Sequence, residues 1–190
     1  MSPDSRPTIR VHGTEDVLAL IPFLLGFQPE ASLVVVALDD AGDGILTGAR
    51  LDLPTTGEPT APAHAALDQV IASLGTRRGS TVVLAGYGAA EHVEPMVATA
   101  RDALRAIGLP LREALRVADG RFWRLHDTDP ASRPADGVPF GTATSPAAAA
   151  AVYAGLVALP DRAALAATLA PVTGPAASAW SRPPSPPAHW

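Results

Sequence analysis

One uninterrupted apolar run most constrains how this chain can fold. Residues 32–38 read Ser-Leu-Val-Val-Val-Ala-Leu, with no polar residue after the first position. A strand with one solvent-facing side alternates apolar and polar residues, so this run is typical of a central strand covered on both faces. The segment before it, residues 17–27, is apolar almost all round a helical turn, which indicates a helix buried on several sides.

The rest of the chain alternates strand and helix patterns. Residues 45–53 alternate in polarity after a turn and predict an antiparallel partner for the first strand, with Ile45 and Leu51 on one face. Helical stripes at 67–74 and 93–107 flank a buried strand at 81–85. These patterns predict an α/β fold, in which helices pack on a mixed β-sheet.

A second hairpin is predicted near residue 120. Asp119 and Gly120 stand between two β-type runs, and Asp-Gly is a strong signal for a two-residue turn. The Ala-rich stretch beyond residue 145 predicts C-terminal helices, the first capped by Ser145. The hairpin places Val117 opposite Phe122 toward the core, and Arg116 opposite Trp123 on the other face.

The chain is expected to form one domain over residues 1–170. Residues 171–190, with four prolines among the last eight positions, predict a disordered tail. The first thirteen residues show no apolar signal-peptide core, and the run at 17–27 is too short to cross a bilayer. We therefore expect a cytoplasmic protein with no membrane partner.

Composition excludes several kinds of chemistry. The chain of 190 residues has no cysteine, and all 14 basic residues are arginine, so thiolate nucleophiles and Schiff-base lysines are excluded. The net charge of −5 argues against a nucleic-acid partner, because phosphate binding needs a basic footprint. The five histidines show no metal-ligand spacing, so neither a metal nor a cofactor is predicted.

Four short motifs resemble a known family. Residues 16–35 match the pattern D-x-x-x-x-x-P-x-L-L-G-F-x-P-x-x-S-L-V-V, and residues 50–54 match R-x-D-L-P. Residues 120–123 match an aromatic strand of the G-R-W-W kind, and residues 159–162 match L-P-x-R. In this order the motifs resemble the actinobacterial family DUF4192, a domain of unknown function. The resemblance implies an architecture and no mechanism, and because family members tend to run longer, it implies a C-terminally shortened member.

Three groups of residues are candidates for a functional surface. Arg50 and Asp52 share one strand face, either as a ligand-binding pair at a strand end or as an ion pair that braces the sheet against the following Pro54 turn. Tyr87 lies in a Gly-x-Gly turn that opens a helix, where α/β folds bind ligands, although Glu91 replaces the third glycine of a dinucleotide loop. Trp123 is either an exposed stacking platform or a ring half-buried by a packed helix, with arginine stems covering its edge.

Two functions follow from these candidates. The first is a non-catalytic binding or interaction module that uses Arg116, Arg121 and Trp123 toward an unknown protein or small molecule, with a homo-oligomer left open. The second is a small-molecule enzyme, with a nucleotide-related substrate left open. Its site lies at strand ends and is built from the strand pair Arg50 and Asp52 with Tyr87 and Asp119. We favour the first, because no catalytic constellation stands out.

Overall fold

The computed structural model describes residues 9–75, 80–125, 134–142 and 145–171. Within them the strands are β1 (Ser32–Leu38), β2 (Ile45–Asp52), β3 (Thr81–Tyr87), β4 (Leu111–Ala118), β5 (Arg121–Arg124) and β6 (Val138–Pro139). The helices are α1 (Thr14–Leu25), α2 (Ala61–Gly75), α3 (Ala90–Ala106), α4 (Pro146–Tyr153) and α5 (Arg162–Thr168).

The six strands form one mixed sheet in the order β2-β1-β3-β4-β5-β6. β1 pairs antiparallel with both β2 and β3, and β3 pairs parallel with β4 through the crossover helix α3. β4, β5 and β6 complete an antiparallel edge. The mixed sheet, the two hairpins β1–β2 and β4–β5, and the Ala-rich C-terminal helices confirm the predicted fold class.

Helices cover both faces of the sheet. Val34 and Val36 of β1 face a core cluster that includes α1 and α4, whereas Leu33 and Val35 face a second cluster that includes α2 and α3. Every residue of β1 is buried. The prediction of a central strand covered on both sides is therefore confirmed. The apolar side chains on both faces of β1 explain this position, because each face is stabilised by burial against helices.

The β1–β2 hairpin contains one irregularity that the alternation pattern misses. Ala37 pairs with Thr47 but the next residue, Leu38, pairs with Ile45, so β2 has one extra residue at this point. Ile45 then packs against the cluster of α1 and α4, whereas Leu51 packs against that of α2 and α3. The prediction that Ile45 and Leu51 share a face is wrong, because a bulge inverts the alternation.

Two further expectations concern the ends and the membrane. The predicted Pro-rich tail lies almost wholly at 172–190, outside the described residues, and the single-domain boundary stays a prediction. No helix in the described part of the chain is long and apolar enough to cross a membrane.

Candidate functional site

A cleft of about 830 Å³ lies at the carboxyl ends of β3 and β4, the parallel pair of the sheet. β1 runs antiparallel to β3, so the segment that enters β1 reaches the same end of the sheet. Open α/β sheets bind ligands at this position, beyond the carboxyl ends of their parallel strands. The lining comes from residues 28–31, 87–91 and 116–120, together with Phe140.

The turn after β3 brings the start of α3 to the cleft. A Cβ atom at Gly86 would lie 2.3 Å from Cγ1 of Val93, so only glycine lets the first turns of α3 pack this closely on the strand. The backbone N–H of Gly88 donates to the carbonyl of Val117 at 3.0 Å, which ties the turn to β4. The glycines of the Gly-x-Gly turn thus serve helix–strand packing, and they leave Glu91 on the cleft wall.

Arg116 is the one basic residue among the described residues that line the cleft. It pairs across the strands with Trp123, as the hairpin prediction requires, and its guanidinium carbon lies 3.6 Å from the centroid of the Trp123 ring. Within the described part of the chain, Arg116 makes no hydrogen bond and no ion pair. The indole ring therefore holds the guanidinium in place while its five N–H donors stay available.

The other side of Trp123 is covered by the segment that leads into β6. A Cβ atom at Gly137 would lie 2.6 Å from Cε2 of Trp123, and the indole Nε1–H donates to the carbonyl of Ala135 at 3.1 Å. Arg121 holds the same segment through its Nη1, which donates to the carbonyls of Asp136 at 2.9 Å and of Gly137 at 3.2 Å. Trp123 is thus half-buried and its ring is not an open platform, but residues 135–137 cover it where the second alternative expected a packed helix.

Three carboxylates share the cleft with Arg116. Glu30 lies just before β1, Glu91 lies in the first turn of α3, and Asp119 lies in the hairpin turn with φ of 50°. None of the three forms an ion pair with a described residue. The cleft therefore has one fixed cation and a majority of negative groups.

Tyr87 lines the cleft with a hydroxyl group that is itself buried. Its ring packs against the core cluster of α1 and α4, and its hydroxyl oxygen has no hydrogen-bond partner in the described part of the chain. Burial raises the pKa of Tyr87 well above its ordinary value of 10.0. The side chain is therefore neutral at physiological pH, and it offers no phenolate for catalysis.

Arg50 and Asp52 are not among the residues that line the cleft. Their side chains form an ion pair at 2.6 Å, and the second carboxylate oxygen of Asp52 lies 3.6 Å from Nη1 of Arg162. The Arg50 guanidinium also lies 5.7 Å from the ring centroid of Phe27. The backbone of Phe27 forms an isolated parallel β-bridge with that of Leu159. The pair therefore lies between β2 and the start of α5, with Arg162 as its neighbour, where the sequence predicted a contact with the Pro54 turn.

The structure therefore brings together some residues of each functional hypothesis. Tyr87, Arg116 and Asp119 line one cleft, whereas Arg121 and Trp123 contact the segment at residues 135–137. The residues of the enzyme hypothesis are divided between the cleft and the Arg50–Asp52 ion pair outside it. Among the described residues, no group of three or more His, Asp or Glu side chains could hold a metal ion.

Two residues of the site were missed by the sequence reasoning. Glu30 stands at a variable position inside the first motif, between Pro29 and Ser32, and its place before a central strand was the available signal. No sequence pattern pointed to Gly137. It precedes Val138, and the pairing of Val138 with Phe122 joins segments that are far apart along the chain.

The cleft, the Arg50–Asp52 ion pair and its neighbour Arg162 together include residues from all four motifs that resemble a known family. The sequence profile of DUF4192, described as a domain of unknown function, matches residues 15–183, which is most of the chain. Neither the curated proteins nor the solved structures include a significant match to this chain. The match over most of its length shows that the chain belongs to the DUF4192 family.

Proposed function

We propose that the protein is a non-catalytic binding module that holds a small molecule in the cleft through Arg116. The observation that carries this proposal is the Arg116 guanidinium stacked at 3.6 Å on Trp123, with no ion-pair partner in the described part of the chain. A cation–π contact contributes on the order of 0.5–2 kcal/mol and restricts the orientation of the guanidinium. A fixed, unpaired guanidinium on a cleft wall is suited to an anionic group of a ligand.

The dimensions of the site favour a small molecule over a protein partner. Small-molecule sites are clefts of about 300–1,000 Å³, and the cleft volume of about 830 Å³ falls in this range. The flat part of the hairpin face is less available, because Trp123 and Arg121 already contact residues 135–137. Arg116 is the member of the predicted surface that stays accessible to a ligand.

The alternative of a small-molecule enzyme has less support. It required Arg50 and Asp52 to act together with Tyr87, but the first two form an ion pair with each other and do not line the cleft. Tyr87 is kept protonated by burial, which raises the pKa of its hydroxyl.

The cytoplasmic location expected from the sequence stays a prediction.

A ligand screen with matched arginine variants tests the proposal. Small anionic metabolites are screened by ligand-observed NMR against the wild type, Arg116→Gln and the control Arg105→Gln. Arg105 also carries one positive charge, but it lies in an exposed pair with Asp102 on α3. A hydrogen bond to a charged group contributes about 1.5–3 kcal/mol, so Arg116→Gln should weaken binding by about tenfold to a hundredfold, and Arg105→Gln should leave it unchanged.

The same screen has two outcomes that would refute the proposal. Equal affinity of the wild type and Arg116→Gln would show that the ligand is bound elsewhere. Conversion of the bound molecule, followed in the same NMR spectra, would replace the binding module by the enzyme alternative.

A further inference from the structure

We infer that the ligand of the cleft is a zwitterion, with one anionic group at Arg116 and one cationic group facing the carboxylates of Glu30 and Asp119. This inference rests on the proposed function and adds the charge class of the ligand. Its basis is the mixture of charges on the described walls of the cleft, which include one arginine and three acids.

A ligand with several negative charges is poorly matched to this cleft. Among the described residues of the lining it would meet one cationic residue, Arg116, and three acidic residues, Glu30, Glu91 and Asp119. The start of α3 would ordinarily attract a phosphate through its free N–H groups and its dipole. Glu91 lies in that first turn and places a negative charge at the same point. Nucleotides and other polyphosphates are therefore disfavoured.

A ligand with charge of only one sign leaves part of the cleft uncompensated. A plain cation would satisfy the carboxylates but would bring a like charge near the Arg116 guanidinium. A plain monoanion would satisfy Arg116 but would bring its negative charge into a cleft lined by three acidic residues that have no ion pair with any described residue. Like charges repel, and a molecule with one group of each sign gives both the arginine and the acidic residues an opposite charge.

A matched set of probes separates these charge classes. The probes are 6-aminohexanoate, hexanoate and hexylamine, which share one carbon chain and differ only in their charged ends. Shorter and longer ω-amino carboxylates vary the spacing between the charges, and inorganic phosphate and AMP represent the multiply charged anions. Binding is measured by saturation-transfer NMR with the whole chain, and affinities are obtained by titration.

At least one ω-amino carboxylate should bind about tenfold or more tightly than both hexanoate and hexylamine, because each of its ends then has a charged partner. Arg116→Gln should weaken binding of the amino carboxylate and of hexanoate but not of hexylamine. The double variant Glu30→Gln, Asp119→Asn should weaken the amino carboxylate and hexylamine but not hexanoate. Asparagine tolerates the positive φ of residue 119, so this variant should keep the hairpin turn.

Three results would overturn the inference. They are tighter binding of phosphate or AMP than of every amino carboxylate, equal binding of hexanoate and the matched amino carboxylate, and no binding of any amino carboxylate. If the metabolite screen still finds an Arg116-dependent ligand, the proposed function stands and only the charge class is wrong. If neither set of molecules binds, the proposed function fails as well.

Discussion

Substitution of Gly137 by alanine should destabilise the protein through a direct overlap with Trp123. The added Cβ would lie 2.6 Å from Cε2, 2.8 Å from Cζ2 and 3.0 Å from Cδ2 of the indole ring. Gly120 provides a matched control, because its φ of 68° equals the 69° of Gly137 within a degree, while no atom lies within 4 Å of its added Cβ. The two variants therefore share the backbone strain and differ in the overlap.

The expected magnitudes follow from these two contributions. A residue other than glycine in the left-handed region costs about 1–2 kcal/mol, which is the full effect expected for Gly120→Ala. Overpacking adds about 1–3 kcal/mol, so Gly137→Ala should lower the free energy of unfolding by about 2–5 kcal/mol. Urea denaturation followed by circular dichroism measures both values without depending on tryptophan fluorescence.

A double-mutant cycle assigns the difference to the ring. The atoms that the new Cβ would overlap all belong to the indole ring, and alanine at position 123 removes that ring completely. In a Trp123→Ala background, Gly137→Ala should therefore cost about as much as Gly120→Ala. An equal cost for the two glycine substitutions in the wild-type background would refute the reasoning, and so would a Gly137→Ala cost that Trp123→Ala leaves unchanged.

Two further predictions concern single side chains. Tyr87→Phe should raise the free energy of unfolding by about 1 kcal/mol, because it removes a buried hydroxyl that has no partner in the described structure. Thermal and urea unfolding measure the change. A loss of stability would contradict this prediction, because it would mean that the hydroxyl is hydrogen-bonded. Asp39→Asn should lower stability at neutral pH, because the backbone N–H of Gly44, followed by those of Asp43 and Gly42, holds the pKa of Asp39 below its ordinary value of 3.8. A carboxylate with a lowered folded-state pKa stabilises fully above the unfolded value, and this contribution is lost as the pH falls through the folded-state pKa. The urea midpoints of wild type and variant should therefore converge in acid, and a difference that stays constant with pH would contradict this assignment.

Local sequence patterns were sufficient to predict most of the β-sheet and the helices packed on it. After Ser32, β1 contains no polar side chain, so only a central position in the sheet buries both of its faces. The Asp119–Gly120 turn fixes the register of its hairpin, because a two-residue loop permits a single set of cross-strand pairs. Each of these predictions depends on residues that are close together along the chain.

The remaining features depend on contacts between distant segments. Ile45 changes face because of a bulge in the pairing of β1 with β2, and its apolar character is the same on either side. Arg121 donates hydrogen bonds to the backbone carbonyls of Asp136 and Gly137, whereas Arg116 has no such acceptor among the described residues. The difference between the two arginines therefore depends on where residues 134–137 pack against the hairpin. No short pattern in the sequence encodes where that segment returns.

The contact between Phe27, Arg50 and Asp52 has a consequence for how membership in the family can be interpreted. These residues belong to motifs by which the chain resembles DUF4192, and through Arg162 they join three separate elements. Arg116 lies outside those motifs. A search based on the motifs therefore selects proteins that share these structural contacts, and it does not test for the charged residues of the cleft. Two chains can carry all four motifs and still differ at residues 91, 116 and 119, so the proposed ligand does not follow from the motifs alone.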